Sequence, residues 1–117
     1  MIIKRNIDPG LETLLEMNEE MFPMENGYWT KIEAHQVEPG DQIPHGIKYS
    51  LTLHDRNNQR ILGYDNAHGF KPESKRFGAK KVTWDHKHTR EKVENFEFES
   101  AGQLMEEFWA AVDQLVK

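Results

Sequence analysis

Ile47-Lys48-Tyr49-Ser50-Leu51-Thr52-Leu53-His54 is the stretch that decides the fold. Apolar Ile47, Tyr49, Leu51 and Leu53 alternate strictly with polar Lys48, Ser50, Thr52 and His54. Successive side chains of a strand point to opposite faces, so the stretch reads as a strand with one face on a core and one in water. Asp55-Arg56-Asn57-Asn58-Gln59 is turn chemistry. Residues 60–65 then read as the return strand of an antiparallel hairpin. Further out, residues 28–37 read as a strand of imperfect alternation. Pro39-Gly40 and Pro44-His45-Gly46 bracket an exposed loop. Residues 66–80, rich in Gly, Lys and polar groups, read as a loop and 81–84 as a short strand. Residues 86–92 read as a second loop and 93–98 as the last strand.

Helices flank the strands. Asp8 is placed to cap a helix with Pro9 in its first turn, Leu11, Leu14, Leu15 and Met21 near helical spacing, and Pro23 as its end. Ser100 and Gln103 match a capping box. Leu104, Met105, Phe108, Ala111, Val112, Leu115 and Val116 form one apolar stripe after it. The fold class expected is α+β: an antiparallel sheet of about five strands with an N-terminal helix and a C-terminal amphipathic helix packed on one face. A chain of 117 residues fits a single domain, 1–117.

Composition narrows the function classes. There is no cysteine, which excludes disulfides, zinc–thiolate sites and thiol nucleophiles. No signal peptide or membrane span is read, so the expectation is a cytoplasmic protein with no membrane partner. The net charge of −5 argues against nonspecific coating of nucleic acid. Residues 71–92 nevertheless carry eight bases against three acids. That segment reads either as a solvated loop or as a site for an anion such as RNA phosphate.

Nucleotide-binding glycine loops, nucleophile elbows and His-Glu-x-x-His are absent. Two Asp–His groups remain. In Asp65-Asn66-Ala67-His68, Asp65 is placed to orient His68 as a general acid or base, though Asp and Asn also close strand ends by bonding their own backbone. In Asp85-His86-Lys87-His88, an extended backbone would point His86 and His88 the same way. Two imidazoles beside a carboxylate could bind a divalent metal. Lys87 and Arg90 nearby favour phosphate instead, because histidine transfers protons near neutral pH and cations stabilise phosphorane charge. Trp29, Tyr49, Tyr64, Trp84 and Trp109 could stack on bases, but their spacing suits core packing better.

At these residues the sequence resembles the TumE family of toxin components from toxin–antitoxin modules. The resemblance rests on residues 44–55, from Pro44-His45-Gly46 to His54-Asp55, and on 60–68, ending in Asp65-Asn66-Ala67-His68. Asp85-His86-Lys87-His88, Phe96-Glu97-Phe98, Ser100-Ala101 and residues 104–109 complete it in the same order. Asp8-Pro9-Gly10-Leu11-Glu12, Gly27-Tyr28-Trp29 and Lys31-Ile32-Glu33-Ala34 suit a longer branch of the family. Thr89-Arg90 stands where a second Lys or Arg often follows the His-x-His. The resemblance implies a prokaryotic cytoplasmic toxin, a cognate antitoxin of the helix-turn-helix DNA-binding kind, and action on RNA or translation.

Combined with the residue chemistry, the expectation is a toxin that cleaves RNA without a metal or other cofactor. His68, His86 and His88 would transfer protons, and Asp65 and Asp85 would orient them. Lys80, Lys81, Lys87 and Arg90 would hold phosphate. The alternatives are a non-enzymatic RNA- or protein-binding module and a metal-dependent nuclease. One argument of economy places both Asp–His groups at one edge of the sheet, as a single site.

Overall fold

The computed structural model describes residues 8–40, 43, 45–66 and 85–116. Its elements are α1 (Leu11–Glu16), β1 (Glu20–Pro23), β2 (Trp29–Gln36), β3 (Ile47–His54), β4 (Arg60–Asp65), β5 (His86–Thr89), β6 (Val93–Asn95) and α2 (Ala101–Val116). The six strands form one sheet in the order β1-β2-β3-β4-β5-β6, each antiparallel to the next. The α+β architecture expected from the sequence is the one found, with six described strands rather than about five.

The alternation of β3 sets the core. Ile47, Tyr49, Leu51 and Leu53 are all buried, and the register aligns Leu51 with Ile32 on β2 and Tyr64 on β4. Ala34 and Leu62 share that face. α2 covers it with Leu104, Phe108 and Val112, and α1 adds Leu14. Phe108 meets the Tyr64 ring edge-on at 6.0 Å. Tyr49 and Tyr64 are therefore core residues. Trp29 lies on the other face, stacked on His54 at 3.9 Å, with its indole N–H donating to Asn58. Among the described residues no helix is long and apolar enough to cross a membrane.

The N-terminal helix is shorter than its apolar spacing suggested. It stops at Glu16, and residues 20–23 pair with β2 instead. The reversal uses Glu19 at φ 71°, whose N–H donates to the Ile32 carbonyl, while the Asn18 side-chain oxygen accepts from the Ala34 N–H. Residues 20–23 thereby take their backbone partners from β2 rather than from a further helical turn. Asp8 also has a different task from the one expected. Its carboxylate accepts the Ala101 N–H at 2.6 Å and so caps α2, not α1. Ser100 Oγ accepts the Gln103 N–H, one half of the capping box, while the Gln103 side chain accepts the N–H of Glu99 rather than that of Ser100.

The two helix starts are pressed together. Gly102 N–H donates to the Pro9 carbonyl at 2.6 Å. Gly10, at φ +84°, leaves no room for a side chain: a Cβ there would sit 2.7 Å from the Gly102 backbone.

Two further readings change. Residues 86–89, expected within a loop, form β5, and the last strand spans only Val93–Asn95. The loop expected over 66–80 lies, from residue 67 onward, outside the described residues, as does the strand expected over 81–84.

Candidate functional site

β4 and β5 bring together residues 20 or more positions apart in the chain. Asp65 is the cross-strand partner of His86, and Gly63 is the partner of His88. Partners in an antiparallel pair share a face, so Asp65, His86 and His88 project from the side of the sheet opposite the helices. Their ligand atoms all lie within 4.8 Å of one another. His88 Nε2–H donates to Asp65 Oδ2 at 3.0 Å. The two imidazoles stand 5.9 Å apart, inclined at 73°. His86 is only 3 % exposed and Asp65 9 %, whereas His88 keeps an edge at the surface. Burial holds His88 below its usual pKa and outweighs the opposing pull of Asp65.

The neighbouring residues of the same motif go elsewhere. Asp85 and Lys87 alternate with the histidines and take the helix-covered face. Tyr49 Oη–H donates to Asp85 Oδ1 at 2.7 Å. Burial raises the pKa of both groups, against the effect of that hydrogen bond on Asp85. The Lys87 ammonium lies 5.5 Å above the Tyr64 ring. Asn66 closes the end of β4: its side chain accepts the Tyr49 N–H and donates to the Ile47 carbonyl. His68, Lys80 and Lys81 lie outside the described residues.

Arg90 is engaged at the far end of β5, where it donates to Asp55 Oδ2 at 3.1 Å. The other oxygen of Asp55 accepts the backbone N–H groups of Asn57 and Gln59, organising the β3–β4 turn. These bonds, that from Gln59 foremost, hold the Asp55 carboxyl below its usual range. A depressed folded-state pKa contributes stability above the unfolded value of about 3.9 and loses it as pH falls through the folded one. Asp55→Asn is accordingly expected to melt below the wild type at pH 7, with the difference shrinking in scans below about pH 4. A difference independent of pH would remove the charge from this account.

One residue of the neighbourhood escaped the sequence reading. A Cβ on Gly63 would meet the Arg60 side chain at 3.4 Å, so the Arg60 side chain lies across the bare backbone of Gly63. Its charge reaches His88, whose proton affinity it lowers. A glycine inside a strand marks a place where another group approaches closely, and that was the available signal.

The structure thus brings Asp65, His86 and His88 together beside Arg60, and places Asp85, Lys87 and Arg90 apart from them. No curated protein and no solved structure matches the chain. The family model described as toxin TumE matches residues 23–116, which include every residue of this centre. With most of its length matched, the chain belongs to the toxin TumE family.

Proposed function

We propose that this toxin acts on RNA in the cytoplasm, breaking phosphodiester bonds at the centre formed by Asp65, His86 and His88. Membership of a toxin family implies an antitoxin partner, which we take to be a helix-turn-helix DNA-binding protein. The observation that carries the reading is the convergence of one carboxylate and two imidazoles from separate strands. Arg60 beside them supplies a cation for the phosphate. RNA brings its own nucleophile, the ribose 2′-hydroxyl, so a small site suffices. Metal-free proton transfer would fall to His88, held by Asp65, since a group must reach the proton it moves and His86 is almost wholly covered. The burial of His86 and Asp65 favours a second chemistry, an ion held by all three groups.

The test combines cells and purified protein. Expressed without its antitoxin, the wild type is expected to arrest growth and to shorten labelled cellular RNA in vitro. His88→Ala should slow cleavage by about 100-fold or more with its melting temperature nearly unchanged. Arg60→Ala should act mainly through KM. Full toxicity of His88→Ala, with RNA intact, would identify a non-enzymatic blocking protein instead.

A further inference from the structure

We propose that Asp65, His86 and His88 form a binding site for one divalent transition-metal ion, the cofactor of this centre. The inference deepens the reading just given by naming what the site holds, but ion binding itself does not require RNA as the substrate. The donor set comes first. Two imidazole nitrogens and one carboxylate oxygen suit zinc, manganese, iron, cobalt or nickel, whereas magnesium and calcium take oxygen ligands.

Position comes next. All three side chains leave the same face of a two-strand ladder, with His86 opposite Asp65 and His88 one pleat further along. Ligands about 2.1 Å from a tetrahedral ion lie about 3.4 Å from each other. The His88–Asp65 distance is already 3.0 Å, and all three ligand atoms lie within 4.8 Å of one another, so modest side-chain rotation closes the site. Because the backbone ladder fixes all three Cα positions, no loop has to be ordered.

Among the described residues the centre offers three ligands. Three protein ligands with an open position are the pattern of catalytic sites, whereas structural zinc sites are closed by four. Arg60 repels a bare cation there, and a phosphate bridging the ion and the guanidinium offsets that repulsion. The ion and an anionic substrate should therefore bind cooperatively.

The experiment uses the purified chain, stripped with a chelator and titrated by calorimetry with zinc, manganese or cobalt chloride alone. One ion per chain is expected, with a rise in melting temperature. His86→Ala, His88→Ala and Asp65→Asn should each weaken binding by at least about tenfold, while His54→Ala, bound to Thr52 on the same face, should leave it unchanged. Cobalt absorption or manganese resonance on the unmodified protein gives a readout that needs no variant, and histidine nitrogen ligation is expected there. Absence of binding by every ion, or binding indifferent to the three substitutions, overturns the proposal. RNA cleavage that persists after complete stripping also overturns it, while leaving the RNA reading intact. Ion binding at these residues with RNA untouched supports the metal site and sinks the RNA reading.

Discussion

Leu51→Asp is expected to leave the chain without a cooperative melting transition. Leu51 is fully buried at the middle of β3, between Ile32 and Tyr64, under the apolar face of α2. An unpaired carboxylate there loses its hydration and finds no cation, a cost of about 4 kcal/mol or more. The lost leucine contacts add about 2–3 kcal/mol. Domains of this size have roughly 5–15 kcal/mol of stability in all, so little or none would remain. Thr52→Asp is the control, one residue along and on the other face, where it meets Lys31 and Gly63. It should stay folded. Because a one-residue slip exchanges the two faces of a strand, the pair reads the register directly. A soluble Leu51→Asp protein melting like the wild type would refute it.

Gly10→Ala, the addition of one methyl group, should also be costly. The φ of +84° at Gly10 is strained for any residue with a Cβ, and the new carbon would lie 2.7 Å from the Gly102 backbone. A flexible side chain could yield, but the first turn of α2 cannot move without disturbing the Asp8 cap and the Pro9–Gly102 hydrogen bond. Strain and overpacking together are expected to cost about 2–4 kcal/mol. For a chain of this length, a fall of about 10 °C or more in melting temperature follows. An unchanged Tm would mean that the two helix starts are not in contact.

Parts of this molecule were plain in the sequence for identifiable reasons. The hairpin of β3 and β4 was legible because Ile47 to Leu53 alternate without a break and Asp55-Arg56-Asn57-Asn58-Gln59 is strong turn chemistry. α2 was legible from its apolar stripe and the Ser100–Gln103 box. α1 was read too long because Met21 falls at helical spacing, while the competing partner, β2, lies elsewhere in the chain. β5 was missed as a strand because His86-Lys87-His88-Thr89 has no apolar alternation to show. Its parity was nevertheless available. An extended reading already put His86 and His88 on one face and, by the same rule, Asp85 and Lys87 on the other. Treating the four residues as one group hid that division. The approach of Asp65 to His88 is a matter of strand order and register, which local sequence does not encode.

The meander has a kinetic consequence. Each described strand pairs with the next described strand along the chain, so the ladders can form one after another. Five residues separate β3 from β4, but twenty separate β4 from β5. Closure entropy rises by about 0.6 kcal/mol for each doubling of the loop, so the second closure is dearer by about 1.2 kcal/mol, nearly a tenfold rarer encounter. The β4–β5 ladder, which unites Asp65 with His86 and His88, is therefore expected to form after the β3–β4 hairpin. A partly folded chain holding its hairpin and hydrophobic face would still lack the assembled Asp65–His86–His88 cluster, so on the function proposed above its activity would wait for that closure.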